Sequence, residues 1–339
     1  MSRLKRAPMI VFLATALLAL LLLSFEIYVF LARRGANVPL PPLFGNFERV
    51  RQTLKETPPE TEFTFGVCGD TRSVGTFEEL AGELRKRRLA FAVLLGDCVY
   101  YGAESEHAAL RAELAHELAM PFPVFYVTGN HDVSEDRFPV SRFEEVYGPS
   151  IFSFDCQGCL FVILRILDAP ASNRDSIEFL RRLAADAPDR YRKRFVFMHI
   201  PAPVPGLAQG RSFAEGQELL EILRELGADY VFAGDYHGYS RTTYRGTSYI
   251  VTGGGGGHLH QKDSMHHAVL VTVGADGVSE EILAVPRNEE FEDFMERFAI
   301  SEAWPWMRLH PALAAAANAA VLLALIGSLT LWQRSPRRP

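Results

Sequence analysis

Short apolar runs alternate with stretches of helical periodicity through the middle of this chain, and one long apolar run stands at each end. In the middle, Thr61 to Gly69, Ala90 to Leu95 and Pro123 to Thr128 read as strands, with Phe77 to Arg88 and Glu104 to Leu118 as the helices between them. Ile151 to Asp155 and Leu160 to Leu167 flank Cys156-Gln157-Gly158-Cys159, the pattern of a hairpin. Further on, Asp175 to Ala184 and Phe213 to Leu226 read as helices. Arg194 to Met198, Tyr230 to Ala233 and Tyr249 to Thr252 read as strands. His267 to Val273 and Val278 to Val285 close the domain as an antiparallel pair. Such strand-helix alternation implies parallel pairing with right-handed crossovers, hence an α/β fold.

The end runs read differently. Met9 to Ala32 is apolar except for Thr15, Ser24 and Glu26. At about 1.5 Å per residue it is long enough to cross a bilayer core of about 30 Å. It ends in Leu31-Ala32-Arg33-Arg34, which favours an uncleaved anchor over a signal peptide. Pro311 to Trp332 is a second, uncharged span, flanked by Trp304, Trp306 and Trp332. Arg3, Lys5 and Arg6 precede the first span, and Arg334, Arg337 and Arg338 follow the second. The positive-inside tendency then puts both termini in the cytoplasm and the body of the chain outside it, although Arg33 and Arg34 weigh the other way.

Between spans and body lie two connections. Pro39, Pro41, Pro42, Pro58 and Pro59 make 36–61 read as a semi-rigid stalk with room for one short helix. Phe291, Phe294, Met295 and Phe298 recur at helical spacing among acidic residues, for packing on the domain or for lying on a membrane, where the acidic face is a poor match to anionic lipid. The expected organisation is an anchor at 1–35, a stalk at 36–61, a domain at 62–286, a membrane-proximal helix at 287–310, a second span at 311–333 and a basic tail at 334–339. A net charge of -6 argues against nucleic acid as a partner, and four cysteines make no disulfide framework.

The chemistry sits at the ends of the strands. Gly69-Asp70, Gly96-Asp97 and Gly129-Asn130-His131-Asp132 each follow a strand, as do His199-Ile200-Pro201 and Gly234-Asp235-Tyr236-His237. Open α/β sheets place their sites there. Carboxylates, an amide oxygen and imidazoles suit Mn, Fe or Zn. One carboxylate can bridge two such ions about 3.5–4 Å apart, the arrangement for in-line attack at phosphorus. His131, beside the ions but not bound to them, could protonate the leaving oxygen, with Asp132 fixing its ring.

This ordered set resembles the calcineurin-like metallophosphoesterases, which include the purple acid phosphatases, over roughly Glu62 to Val285. The resemblance implies a four-layer αββα sandwich of two mixed β-sheets and hydrolysis of phosphoric esters at a dinuclear metal centre. By that likeness Asp97 is the bridging carboxylate, Asp70 and His237 hold the first metal, and Asn130, His199 and Asp235 hold the second. His131 is then the acid or transition-state stabiliser.

Two positions depart from the family's pattern. Arg72 stands where Asp-x-His is usual, and Asp235 where Gly-His-x-His is usual. An arginine stays protonated and is no ligand, so the expectation is two divalent ions, or one if the first position is weakened. Arg72 could clamp a phosphate or pair with a site carboxylate. His258 or His260 could supply the missing ligand or sit in an exposed loop. The reading is a membrane-anchored phosphoesterase acting on mono- or diesters, lipid-linked ones included. The alternative is a catalytically weak member that binds a phosphorylated ligand as a membrane sensor or scaffold.

Overall fold

The computed structural model describes residues 3–35, 38–58, 60–72, 74–168, 173–186, 191–260, 265–288 and 291–334. Pro59, Arg337 and Arg338 lie outside the described residues. The chain divides into two compact units, Val38–Phe294 and the paired terminal segments Met1–Asn37 and Met295–Pro339.

Eleven strands are described in the larger unit: β1 (Phe63–Cys68), β2 (Phe91–Leu94), β3 (Val124–Tyr126), β4 (Phe152–Cys156), β5 (Cys159–Ile163), β6 (Arg194–Phe197), β7 (Tyr230–Ala233), β8 (Tyr239–Tyr244), β9 (Thr247–Thr252), β10 (His266–Val273) and β11 (Val278–Val285). They form two mixed sheets, ordered β11-β10-β1-β2-β3 and β4-β5-β6-β7-β9-β8. β1, β2 and β3 pair in parallel, as do β5, β6, β7 and β9. The antiparallel pairs are β10 with its neighbours, the β4–β5 hairpin and the β8–β9 edge.

Alternation at period two sorts each strand's side chains between two faces. Phe65, Val67, Phe91, Val93 and Phe125 from one sheet meet Phe161, Ile163, Phe195, Phe197 and Phe232 from the other in a single core. The rings interlock edge to face, Phe65 on Phe161 at 5.4 Å and Phe91 on Phe161 at 4.9 Å between centroids. The opposite faces carry the helices. Cys68, Ala92, Leu94 and Tyr126 pack with Leu80, Leu84, Leu110 and Phe143 on one side. Val162, Val196 and Val231 pack with Leu180, Leu219 and Leu223 on the other. The result is the four-layer αββα sandwich.

Three elements escape a reading by pattern. Residues 38–58 are no stalk: they pack on the domain. Asn46 Nδ2 donates to Tyr126 O at 2.7 Å while Tyr126 N–H donates to Asn46 Oδ1 at 2.9 Å, and Glu48–Glu56 is a helix that buries Val50 and Leu54. β8 is an edge strand, and Val140–Tyr147 is a further helix. The Cys156–Cys159 turn carries two free, buried thiols.

In the smaller unit, Arg3–Gly35 and Pro311–Arg334 are helices, each long and apolar enough to cross a membrane. Thr15 and Ser328 share a hydroxyl hydrogen bond at 2.7 Å, Asn318 Nδ2 donates to Glu26 Oε1 at 2.7 Å, and Phe12 stacks on Trp332 at 5.2 Å. Those contacts hold the two helices together, and they give the lone acid of the first helix a partner. The stretch read as a membrane-proximal helix is a helix at Phe291–Phe298, then a π turn at Ala299–Ala303 and a short helix at Trp304–Leu309. Phe291 is 76% exposed and Phe294 51%, so neither ring is buried.

Candidate metal centre

Six candidate ligands from five strand ends meet in one place. Asp70 follows β1, Asp97 follows β2, Asn130 follows β3, His199 follows β6, and Asp235 and His237 follow β7. Three of the turns use the same device: Asp70, Asp97 and Asp235 have φ of 59°, 55° and 62°, the left-handed region that aspartate tolerates better than most residues. A reversal right after each strand turns the carboxylate inward. Gly129 is required by close approach, since a Cβ there would stand 2.3 Å from Asp97 N and Oδ1.

Ligand atoms of Asp70, Asp97 and His199 lie within 4.8 Å of one another, and all three residues are buried. His199 Nε2 is 3.3 Å from Asp97 Oδ1 and 3.0 Å from Asn130 Oδ1. His237 Nε2 is 3.3 Å from Asp70 Oδ1, and Asp235 N–H donates to Asp70 Oδ2 at 3.0 Å. The glycine run laces onto the same strand end: Gly255 N–H donates to Gly69 O and Gly257 N–H to Asp70 O.

Several observations bear on whether a cation fits. His199 Nδ1 donates to Leu95 O at 2.7 Å, and His237 Nδ1 donates to His258 O. A carbonyl only accepts, so both rings carry a proton on Nδ1 and turn Nε2, the nitrogen a metal would take, toward the carboxylates. Asp70 Oδ1 and Asp235 Oδ2 are buried without a hydrogen-bond partner among the described residues. Burial disfavours charge on His199, yet Asp97, Asp70 and Asp235 outweigh it and hold the ring up at about 10. Burial, reinforced by the Asp97 charge, pushes the Asp70 carboxyl up in spite of its histidine neighbours. Burial works against Asp97 as well, but His199 and Arg72 hold it well below the usual carboxylate range. The cluster has an excess of anionic oxygen, and a cation among Asp70, Asp97 and His199 fits it.

Arg72 is in the centre, not at its rim. Its side chain is 13% exposed, and Nη2 donates to Asp97 Oδ2. Of the two roles read for it, carboxylate pairing is the one this geometry contains. His258 and His260 do not supply the missing ligand. His258 is exposed and offers its carbonyl, while His260 Nδ1 accepts from His237 N–H at 2.9 Å. Cys68, pushed up to about 12 by burial and by Asp70, and Cys98, raised by burial and by Asp132, are buried thiols.

Asp132 does not orient His131. Its carboxylate accepts from the N–H groups of Asp97, Cys98 and Gly129, each at 2.8 Å, and from Tyr126 Oη–H at 2.7 Å. It is the buried post on which the Asp97 turn hangs. Next neighbours in a tight turn point opposite ways, so adjacency in sequence does not give contact here. His131 is set by Tyr100 O, which accepts from Nδ1–H at 2.5 Å, and by its own N–H, which donates to Asp97 Oδ1 at 2.9 Å.

Two functional neighbours have no motif to announce them. Arg211, from the loop before helix Gly216–Leu226, donates to Asp235 Oδ1 at 2.7 Å and to Asn130 Oδ1 at 3.1 Å. His107 bonds Asp132 O at 2.8 Å and Tyr147 Oη at 3.0 Å and stacks on Phe138. Burial pushes it down to about 4, so it braces the loop as a neutral ring.

Residues 63–239 match the family model for calcineurin-like phosphoesterases. The chain is 29% identical over 164 residues to the serine/threonine-protein phosphatase CPPED1 of Bos taurus, covering 44% of this chain and 52% of that one. It is 26% identical over 207 residues to purple acid phosphatase 18 of Arabidopsis thaliana, covering 56% and 47%. The chain thus spans about half the length of the curated relatives it matches. Two solved structures share the fold. A dimetal phosphatase from Danio rerio aligns with a TM-score of 0.53 at 14% identity, over 66% of this chain and 97% of that one. GAP50, the anchor in the inner membrane complex of Plasmodium, aligns with a TM-score of 0.52 at 12% identity, over 71% and 95%. With more than half its length matched to the family model, the chain belongs to the calcineurin-like phosphoesterase family.

Proposed function

We propose that this chain is a membrane-anchored, metal-dependent phosphoesterase. The observation that carries the reading is the buried cluster of Asp70, Asp97 and His199, with both site histidines presenting Nε2 to carboxylates. Asp70, Asp97 and His199 would hold Mn, Fe or Zn, with His237 beside Asp70. Such a cation supplies, when bound, charge for phosphate oxygens and a lowered pKa for water.

The chain's own residues do the rest. Tyr100 O accepts from His131 Nδ1–H and leaves Nε2 as the atom from which the doubly protonated ring gives its second proton to the leaving oxygen, ending as the neutral Nδ1–H form. Arg72 holds the Asp97 carboxylate in place inside the site. The two apolar helices span the bilayer, the termini face the cytoplasm, and 38–294 stands outside it.

A second reading has one observation in its favour: Arg72 already pairs with Asp97, the carboxylate that would bridge two ions. Under it the domain binds a phosphorylated ligand without turning it over. One assay separates the two. The full chain in detergent, loaded with Mn, Fe or Zn, is expected to hydrolyse an aryl phosphate, to stop on chelation and to recover when the ion returns. Phosphate binding with no turnover under any ion would support the second reading instead.

A further inference from the structure

We propose that Arg211 stands in for a second cation: its guanidinium, and not a second metal ion, bridges Asn130 and Asp235, so the centre takes one divalent ion. This rests on the metal-dependent reading of the site. Nη1 is 2.7 Å from Asp235 Oδ1 and 3.1 Å from Asn130 Oδ1, Nε is 3.3 Å from Asp168 Oδ2, and Nη2 is 3.4 Å from His131 Nε2. One side chain thereby ties together the ends of three strands.

The loop is shaped for this delivery. Ala208 N–H donates to Ser240 Oγ at 3.0 Å, and Gln209 Nε2 donates to Ala202 O at 2.9 Å. Between these anchors and Arg211 lies Gly210, where a Cβ would stand 2.5 Å from Asp235 Oδ2. Only glycine lets the main chain lie over that carboxylate and aim the next residue into the site.

Charge completes the case. A guanidinium does not release its proton, so it is a permanent cation needing no loading. It engages Asp235 Oδ1 and the Asn130 amide oxygen, for which a second ion would have to compete. Asp235, an aspartate at the position where the family pattern has a histidine, is the partner such a cation calls for, because a histidine offers it no anionic oxygen. Arg72 on Asp97 does the same at the other end. Both departures of the sequence from the family pattern are then halves of arginine–aspartate pairs, flanking a single ion.

The test is the number of ions. Metal-stripped full chain in detergent is titrated with Mn²⁺ by calorimetry, and bound Mn is counted after dialysis. Wild type is expected to hold one ion per chain. Arg211→Ala should hold two, the second at least tenfold tighter than any second site in wild type. Arg211→Gln, of similar reach but uncharged, should shift the same way and serves if the alanine chain does not fold. Two ions of like affinity in wild type, or a count still at one in both variants, overturn the proposal. If wild type holds two ions and hydrolyses esters, only the role of Arg211 falls. If it binds no Mn and hydrolyses nothing, the phosphoesterase reading falls and takes this proposal with it.

Discussion

His131→Ala is expected to lower kcat on a phosphate ester by about 10²- to 10⁴-fold, the usual worth of a positioned proton donor, while the bound metal stays. The separation follows from which atoms the substitution removes. The main-chain N–H of residue 131 still reaches Asp97 Oδ1, so the Asp97 carboxylate keeps its place. What goes is Nε2, the only ring nitrogen not committed to Tyr100 O. Proton donation matters most when the leaving oxygen is basic. The loss should therefore be larger on an alkyl phosphate than on an aryl phosphate with an acidic phenol. Metal content measured beside kcat checks the account: loss of both together would make His131 a structural residue, and equal losses on the two esters would remove its role as acid.

Asp132→Asn is expected to be the most destabilising single change in the site, by more than ~3 kcal/mol. Asp132 accepts four main-chain N–H bonds, the longest from Val99 at 3.4 Å, and one phenol, all buried. An amide keeps one accepting atom and turns an N–H₂ against the remaining donors. Each donor left unpaired costs about 1–3 kcal/mol. In a domain of this size the melting temperature should fall by roughly 6–12 °C. Activity should fall with it, because Asp97 loses the anchor of its own N–H. Tyr126→Phe removes one of the five bonds, and it should cost about 1.5–3 kcal/mol while leaving turnover near wild type. A melting temperature unchanged in Asp132→Asn would sink this assignment.

The contrast between His131 and Asp132 shows how far sequence reaches. The Gly-Asp turns are legible because each follows a short apolar run, and a polar residue after such a strand has few places to go. Which strand ends face each other follows from the two-sheet sandwich, and the family resemblance supplied that. The role of Asp132 did not follow, since it depends on the direction of side chains within one turn. Arg211 was hidden for another reason. It sits in a loop rich in Gly and Pro with no periodicity, and only the close approach at Gly210 marks its path. The edge strand β8, with its half-exposed Tyr, Thr and Arg, carries too little burial for its alternation to show. Residues 38–58 read as a stalk because prolines suggest an extended chain, whereas Asn46, Val50 and Leu54 tie the segment down by tertiary contact.

The account depends on oxygen and imidazole donors from separate strand ends closing around one hydrolytic ion. X-ray absorption at the metal edge, on full chain loaded with one equivalent of Zn or Mn, tests that most directly. Oxygen and imidazole nitrogen ligands at about 2.0–2.2 Å are expected, and the signal should be lost in Asp97→Asn. Sulfur ligands, implicating Cys68 or Cys98, or an ion still bound unchanged in Asp97→Asn would contradict it.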